Sequence, residues 1–285
     1  MSKMKLMSVR IYFGLGSLLV PRKMAKKSFE LFQKVRKKKV RQREEIFFEK
    51  ARSFKVYYDK EAIDCFELGE PNGPIVFLVH GWDSNAGSMS KIAFKFAAKG
   101  YRVLAFNLPG HAFYKSSTTN LLECKLAFQA VLDFVNPNKT FSVVSHSFGS
   151  AVVANALAGQ SFKVDKLVFL TNPNKIEDIF KEFKRIIGLN KRAYRFLIKH
   201  TSQLLGGPIS SLDVTRNLNS INYNDLLIIH DFYDQVLPYE NSFQINSDIK
   251  SSQLITLEKI GHYKMLWNDE VVGRTVAFVD GEEVL

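Results

Sequence analysis

Four short apolar runs alternate with helical patterns along the middle of the chain, and this alternation restricts the fold more than any other feature. The runs occupy residues 75–79, 102–106, 141–144 and 166–170. Because each run is almost wholly apolar and too short for a helix, each predicts a strand that is buried on both faces. The helical patterns between them cover residues 89–98, 121–134 and 148–157. The sequence therefore predicts an α/β fold with a doubly wound, mostly parallel sheet.

Further strands are predicted on both sides of this pattern. Residues 54–58 and 63–68 alternate in polarity around a polar turn at 59–61, which predicts an antiparallel hairpin. Residues 225–229 and 253–257 predict two more strands, and a closing helix follows the last of them. The full prediction is a sheet of eight strands.

A long stretch separates the sixth predicted strand from the seventh. At about fifty residues it exceeds an ordinary connection in a compact domain. It predicts helices over residues 176–187 and 193–205, followed by a break at Gly206-Gly207-Pro208. We interpret the stretch as a helical cap, inserted at about residues 173–222 over the carboxyl ends of the strands, where ligands bind in open α/β sheets.

The net charge of +12 belongs almost wholly to the N-terminus. Residues 1–45 contain 14 Lys/Arg and 3 Asp/Glu, whereas the rest of the chain is nearly neutral. A fold that binds nucleic acid would carry positive charge on its main body, so we expect no nucleic-acid partner. We predict two parts: a basic, helical N-terminal segment at residues 1–50 and an α/β domain at residues 51–285.

The N-terminal segment admits two interpretations. Its apolar run at residues 11–20 is too short to span a bilayer, and Pro21-Arg22-Lys23 stands where a signal peptide needs a small-residue cleavage site. The basic stretch at residues 34–41 is interleaved with apolar residues at helix-like spacing. It predicts either a solvated helix that packs beside the main domain or an amphipathic segment that lies on an anionic membrane surface.

Cysteine usage bears on the cellular compartment. Cys65 and Cys124 lie far apart in the chain and have no metal-binding or redox spacing. We expect both thiols to be buried in a reducing compartment, which indicates a cytoplasmic protein. Under the membrane interpretation, residues 1–45 would make peripheral contact with the inner face of the membrane.

The pentapeptide Ser145-His146-Ser147-Phe148-Gly149 connects the strand at residues 141–144 with the helix that follows. A sharp strand-to-helix turn with small residues on both sides of a serine is the setting of a nucleophile elbow. Such a turn holds its central residue in strained backbone geometry and leaves the side chain above the sheet. Ser147 is therefore the candidate nucleophile.

A serine hydroxyl needs a base in hydrogen-bond contact, and the base needs a third group to orient it. Of the six histidines, only His262 lies in the loop between the last strand and the closing helix. In folds with this turn, the acid and then the histidine follow the serine along the chain. We choose Asp234 as the acid because it lies within the loop after the seventh strand. Asp231, nearer the strand end, is the alternative that caps or closes the turn.

Two backbone N–H groups are candidates for binding the oxyanion of an acyl-transfer reaction. Phe148 follows the nucleophile, and Trp82 lies after the strand at residues 75–79. Gly81 would let the backbone of this second loop approach the reacting oxygen closely. We expect His80 to tie loops together through hydrogen bonds. The ring of Trp82 could belong to the core or to an acyl pocket.

Together these motifs resemble those of the α/β-hydrolase superfamily from about residue 54 to the C-terminus. The matching positions are, in chain order, His80-Gly81-Trp82, residues 107–111, the pentapeptide at 145–149, Asp234 before Val236-Leu237-Pro238, and Gly261-His262. Within the superfamily the chain is similar to bacterial serine hydrolases of the esterase/lipase type with a short helical cap. The resemblance implies the α/β-hydrolase fold and an acyl-enzyme mechanism. It assigns Ser147 as nucleophile, His262 as base and then acid, and Asp234 as the residue that orients His262.

The chain departs from the family pattern at four positions. Asn107 replaces a frequent Asp, and Ala112 replaces a usual Gly. Ser145 replaces the first Gly of the elbow, and Ser150 follows its second. None of these changes removes a catalytic group, so they bear on the details of loops. A serine nucleophile argues against the dehalogenases and epoxide hydrolases of this fold, which use an aspartate.

The expected reaction is hydrolysis of a small-molecule carboxylic ester or thioester, with the cap shaping an apolar acyl pocket. The same three residues would serve an acyltransferase or a carbon–carbon bond hydrolase. A non-catalytic protein recruited to membranes or partners is the alternative from another class. We expect no cofactor and no metal, because the chain has no Gly-rich phosphate loop and its histidines lack ligand spacing. The sequence does not indicate an oligomeric state.

Overall fold

The computed structural model describes residues 3–59, 61–137 and 139–284. Its sheet has eight strands in the order β1-β2-β4-β3-β5-β6-β7-β8. The strands are β1 (Arg52–Tyr58), β2 (Glu61–Gly69), β3 (Ile75–Val79), β4 (Arg102–Phe106), β5 (Phe141–His146), β6 (Val164–Leu170), β7 (Tyr223–Asp231) and β8 (Ser252–Leu257). Each strand predicted from the sequence is present. Lys60, in the predicted hairpin turn, lies outside the described residues.

The pairing of the strands agrees with their polarity patterns. β1 pairs antiparallel with β2, and β2 pairs antiparallel with β4. From β4 to β8 every neighbouring pair is parallel. β5 is buried along its whole length, because it lies in the middle of the parallel part with neighbours on both sides. The prediction of a doubly wound, mostly parallel sheet is confirmed.

Eleven α-helices accompany the sheet in the described part of the chain. They are α1 (Lys3–Leu19), α2 (Pro21–Phe32), α3 (Gln42–Lys50), α4 (Ser90–Ala98), α5 (Leu121–Val135), α6 (Phe148–Leu157), α7 (Ile176–Ile187), α8 (Lys191–Leu205), α9 (Val214–Leu218), α10 (Glu240–Asp248) and α11 (Asp269–Val279). α7 and α8 lie between β6 and β7, as predicted. Asn190 caps the start of α8 by accepting the N–H of Ala193, and Gly206 ends it with a positive φ. Across the described ranges, no helix combines the length and apolarity needed to cross a membrane.

The chain divides into two compact units. The helical unit combines Met1–Lys34 with Lys175–Asp213, and the sheet unit comprises Val35–Asn174 and Val214–Leu285. The predicted N-terminal segment is thus divided, because α1 and α2 belong to the helical unit and α3 to the sheet unit.

Aromatic and polar contacts hold the helical unit together. The ring of Phe32, at the end of α2, stacks on Phe180 of α7 with centroids 4.4 Å apart. Asn190, at the start of α8, donates its side-chain N–H to the backbone oxygen of Ser17 at 2.7 Å. The inserted helices therefore share one core with the first two helices of the chain.

Residues 34–41 form no helix, which corrects the expectation of a helix there. They connect α2 to α3 without regular helical structure. The N–H groups of Arg36 and Lys37 both donate to the carboxylate of Asp83, at 2.7 and 3.3 Å. In a helix, these consecutive cationic side chains would repel one another at positions three and four apart. The backbone instead finds its hydrogen-bond partner in a neighbouring loop.

Gly149 fixes how closely α6 approaches the sheet. A Cβ atom at this position would lie 2.4 Å from the backbone oxygen of Val79 and 2.7 Å from that of His80. Both distances are shorter than real Cβ contacts, and backbone oxygens at the end of a central strand cannot move aside cheaply. Only glycine allows the helix after β5 to pass this close to β3.

We expect Gly149→Ala to lower the free energy of unfolding by about 2–4 kcal/mol, because the added methyl group overlaps the backbone of β3. Gly273→Ala is the matched control. Gly273 also lies in a helix, but a Cβ there meets nothing within 4 Å. This substitution should stabilise the protein by about 0.5–1 kcal/mol through helix propensity. Urea denaturation measures both changes, and equal effects would contradict the close approach at Gly149.

Candidate active site

Ser147 lies in a strained turn between β5 and α6. Its backbone has φ 55° and ψ −122°, a conformation that residues other than glycine rarely adopt. The N–H of Ser147 donates to the backbone oxygens of Leu170 and Thr171, at 3.0 and 2.8 Å. These bonds from the end of β6 hold the turn in place. The hydroxyl of Ser147 is thereby set at the carboxyl end of the central strand.

The two unusual serines of the elbow contact each other. The hydroxyl oxygens of Ser145 and Ser150 are 2.9 Å apart, and both side chains are fully buried. A buried hydroxyl without a hydrogen-bond partner would destabilise the folded state. Each of these two serines supplies the partner that the other needs. The departures from the family pattern at these positions are therefore compensated by one hydrogen bond.

The structure brings Ser147, His262 and Asp234 together. His262 Nε2 lies 3.0 Å from Ser147 Oγ, and His262 Nδ1 lies 2.7 Å from Asp234 Oδ2. Because an ionised carboxylate can only accept, Nδ1–H donates to Asp234 and Nε2 is left to accept the hydroxyl proton of Ser147. The imidazole therefore has the tautomer that a general base for Ser147 requires.

Asp234 is surrounded by donors. Its Oδ2 accepts the hydroxyl of Thr171 at 2.7 Å as well as the imidazole, and its Oδ1 accepts the N–H groups of Val236 and Leu237 at 2.7 and 3.1 Å. Burial by itself would raise the pKa of the Asp234 carboxyl. Hydrogen bonds from His230, His262 and Thr171 outweigh that effect and hold the pKa below its usual range. Asp234 is thus kept ionised.

A polar chain behind Asp234 was missed by sequence reasoning. His230 Nε2 lies 2.9 Å from Thr171 Oγ1 and 3.4 Å from Asp234 Oδ2. On the other side of the ring, His230 Nδ1 lies 2.5 Å from the hydroxyl of Ser242, which is 2.9 Å from Asn172 Oδ1. The available signal was the polar residues at the carboxyl ends of the apolar strands β6 and β7. Such positions are buried at the carboxyl edge of a parallel sheet and need polar partners.

Asp231, the alternative acid, accepts hydrogen bonds from backbone N–H groups. Its Oδ1 accepts the N–H of Tyr233 at 2.8 Å, and its Oδ2 accepts the N–H groups of Ile260 and Gly261. The side chain is fully buried. Asp231 therefore fastens the loop that carries His262 to the end of β7.

His146, inside the elbow, also supports the His262 loop. Its Nε2–H donates to the backbone oxygen of His262 at 2.9 Å. Burial lowers the pKa of His146 to about 3, so the ring is neutral at physiological pH. The neutral ring lets His146 pack against the imidazole of His262, with centroids 4.9 Å apart, without adding charge to the site.

The loop after β3 passes directly beside the nucleophile. A Cβ atom on Gly81 would lie 3.0 Å from Ser147 Cβ, which is tighter than nearly all real Cβ contacts, so glycine favours this close approach. The ring of Trp82 meets the ring of Phe148 edge to face, with centroids 5.0 Å apart. Phe148 is the first residue of α6, where backbone N–H groups have no acceptor within the helix. Of the two predicted oxyanion donors, Phe148 thus follows Ser147 directly, and Trp82 follows Gly81 and contacts Phe148.

His80 and His111 hold this loop in shape. The N–H of Leu108 donates to His80 Nε2 at 3.0 Å, and the N–H of Asp83 donates to His111 Nε2 at 3.2 Å. Burial lowers the pKa of both imidazoles. The structure therefore agrees with the expectation that His80 ties loops together.

The other residues singled out from the sequence have local surroundings that the structure describes. Cys65 and Cys124 are free and buried, and burial raises the pKa of each thiol to about 12. Asn107 accepts the N–H of Ala86 at 3.0 Å, and Ala112 has a φ of 43°, where glycine would be unstrained. Among the described residues, no group of three or more His, Cys, Asp or Glu side chains is arranged to hold a metal ion.

Three curated proteins match parts of the chain. A "Serine hydrolase-like protein" of Dictyostelium discoideum is 33% identical over 99 residues, which are 33% of this chain and 27% of that protein. Two further curated relatives are matched over 53% and 47% of their length. The chain therefore spans about half or less of the curated relatives that it matches.

Solved structures resemble the chain over most of its length. An esterase of Pyrococcus furiosus has a TM-score of 0.66 at 17% identity, covering 87% of this chain and 99% of that structure. A membrane phospholipase A, described as a bacterial virulence factor, has a TM-score of 0.62 at 18% identity, covering 98% and 99%. At identities this low, the structural likeness shows a common fold alone.

The sequence profile of the alpha/beta hydrolase family matches residues 76–262. This range is well over half of the chain and runs from β3 to His262. It contains the elbow and the loop of Asp234. The predicted α/β-hydrolase fold is confirmed, and the chain belongs to the alpha/beta hydrolase family.

Proposed function

We propose that the protein is a serine hydrolase that cleaves carboxylic esters or thioesters through an acyl-enzyme on Ser147. The observation that carries this proposal is the continuous chain of hydrogen bonds from Ser147 Oγ through His262 to Asp234, at 3.0 and 2.7 Å. A serine within hydrogen-bond reach of an oriented base has the arrangement of an activated nucleophile.

In the first step, His262 Nε2 takes the hydroxyl proton of Ser147 while Oγ attacks the carbonyl carbon of the substrate. The carbonyl oxygen becomes an oxyanion, and the N–H groups of Trp82 and Phe148 are the donors that stabilise it. Donors fixed in place before the reaction need no reorganisation as the charge develops. The positive end of α6, which begins at Phe148, adds to this stabilisation.

The second step completes acylation. The protonated His262 gives its Nε2 proton to the leaving alcohol or thiol, and the carbon–oxygen or carbon–sulfur bond breaks. Asp234 stabilises the imidazolium without taking its proton, because the low pKa of this carboxyl keeps it ionised. Water then attacks the acyl group with His262 as base, and the carboxylic acid leaves Ser147.

The comparisons support an ester as the substrate class. The solved structures with this fold include proteins named esterase and phospholipase A, and both names describe the cleavage of carboxylic ester bonds. The serine-containing elbow supports the same class, because acyl transfer to a hydroxyl is the reaction that this geometry favours. We therefore propose a small-molecule or lipid ester as the substrate.

Labelling with a fluorophosphonate probe tests the proposal. The wild-type protein should react covalently at Ser147, and Ser147→Ala should not label, because it lacks the nucleophilic oxygen. Ser145→Ala is the matched control, since the Ser145 hydroxyl contacts Ser150 and not His262. This control should still label. No labelling of folded wild-type protein, or equal labelling of Ser147→Ala, would refute the assignment.

The two neighbouring aspartates give a second prediction. Asp234→Asn should lower kcat by about three to four orders of magnitude, because an amide cannot hold the required tautomer of His262. Asp231→Asn should change kcat by less than about tenfold, but should lower the free energy of unfolding by about 1–3 kcal/mol through the lost anchor of the His262 loop. Ester-hydrolysis kinetics and urea denaturation of both variants separate the roles. The reverse result would make Asp231 the acid.

A further inference from the structure

The first helix exposes an apolar stripe to solvent. Five large apolar side chains of α1 recur at intervals of three or four residues and therefore share one face of the helix. They are Met4, Met7, Ile11, Leu15 and Leu18. Each of them is between 50% and 78% exposed. Contiguous apolar exposure of this kind marks an interaction site on a soluble protein.

The opposite face of α1 is fixed inside the helical unit. Phe13 and Ser17 are buried, and the hydroxyl of Ser17 accepts the N–H of Asn190 at 3.2 Å. Gly14 lies against the backbone oxygen of Gly188, which would be 3.6 Å from a Cβ atom at this position. The helix therefore cannot turn its stripe inward without losing these contacts. The stripe is a permanent outer surface of the helical unit.

Positive charge accompanies the stripe. The helical unit contains 16 Lys/Arg and 5 Asp/Glu, so it carries a net charge of +11 out of +12 for the chain. The first 29 residues contain seven Lys/Arg and no Asp/Glu. Lys27 places one of these cations beside α1, because its Nζ donates to the hydroxyl of Tyr12, the residue after Ile11 of the stripe, at 2.8 Å.

We propose that α1 and its flanking cations form a docking surface for an anionic lipid bilayer. An exposed apolar stripe lined by cations has the two features that place a helix in the plane of a bilayer, with its apolar face among the acyl chains. The cations would be attracted by the negative surface potential of the lipid headgroups. A second copy of this chain fits the surface poorly, because two helical units of +11 repel each other.

Within residues 1–45, which the sequence indicated for peripheral membrane contact, the structure assigns this surface to α1. The basic stretch at residues 34–41 is not helical and cannot present an amphipathic face. α1 carries the apolar side chains instead. This assignment is independent of the proposed hydrolase activity, since no residue of α1 takes part in the reaction.

Vesicle flotation of the full-length protein tests the proposal. The vesicles contain equal parts of phosphatidylcholine and phosphatidylglycerol, or phosphatidylcholine alone. The test variant replaces three exposed residues of the stripe: Met7→Gln, Ile11→Gln and Leu15→Gln. We expect the wild type to bind anionic vesicles and to lose binding at high salt. The test variant should bind at least about tenfold more weakly, because three apolar side chains no longer enter the bilayer.

A matched control replaces three exposed apolar residues of the sheet unit: Ile46→Gln, Leu126→Gln and Phe243→Gln. This variant should bind anionic vesicles as tightly as the wild type. Circular dichroism and thermal unfolding check that both triple variants are folded, which is expected because all six side chains are exposed.

Several results would overturn the proposal. The test variant could bind as tightly as the wild type, or the wild type could fail to bind anionic vesicles. Sedimentation velocity without lipid could instead reveal a dimer that the test variant dissociates, which would make the stripe a self-association surface. Ser147→Ala should float with vesicles as the wild type does. If the protein has no hydrolase activity but still binds vesicles through α1, only the proposed function fails.

Discussion

The positive φ of Ser147 is the constraint on which the rest of the site depends. A non-glycine residue in this conformation costs on the order of 1–3 kcal/mol and persists only where its surroundings fix it. Here the N–H of Ser147 is bound by two backbone oxygens from the end of β6. Gly149 lets α6 pack against β3 at a distance that any side chain would prevent. The turn therefore depends on three neighbouring strands at once, and the serine hydroxyl has a defined position from which the other groups can be placed.

The surrounding loops contain pairs of chemically similar side chains that have different positioning roles. Asp231 and Asp234 lie three residues apart, yet one binds the backbone of the His262 loop and the other binds the imidazole itself. His146 and His262 are neighbours, but burial keeps the first neutral while its N–H supports the second. Local environment, more than residue type, decides which group can act in the reaction. The same logic explains why Ser145 and Ser150, which contact each other, leave Ser147 as the hydroxyl that faces the base.

Much of this arrangement could be predicted because it follows local patterns. Continuous apolar runs gave the strands, and the order of Ser147, Asp234 and His262 along the chain pointed to residues that the fold does bring into contact. The contacts of Thr171 with His230 and Asp234 were missed because they join segments 59 and 63 residues apart in the chain. Residues 34–41 were expected to be helical because spacing alone ignores repulsion between adjacent cations and the acceptor offered by Asp83. The packing of α1 and α2 with the inserted helices could not be predicted either. It depends on contacts between segments about 150 residues apart in the chain, and a local sequence pattern does not indicate such contacts.

Direct detection of the acyl-enzyme tests the central claim that Ser147 is the nucleophile. The protein is mixed with an excess of a chromogenic ester, quenched in acid during turnover and digested, and mass spectrometry locates the added acyl group. The proposed mechanism predicts an acyl group on the peptide that contains Ser147, attached to the hydroxyl oxygen of Ser147. An acyl group on a different residue, or turnover by Ser147→Ala at the wild-type rate, would contradict it.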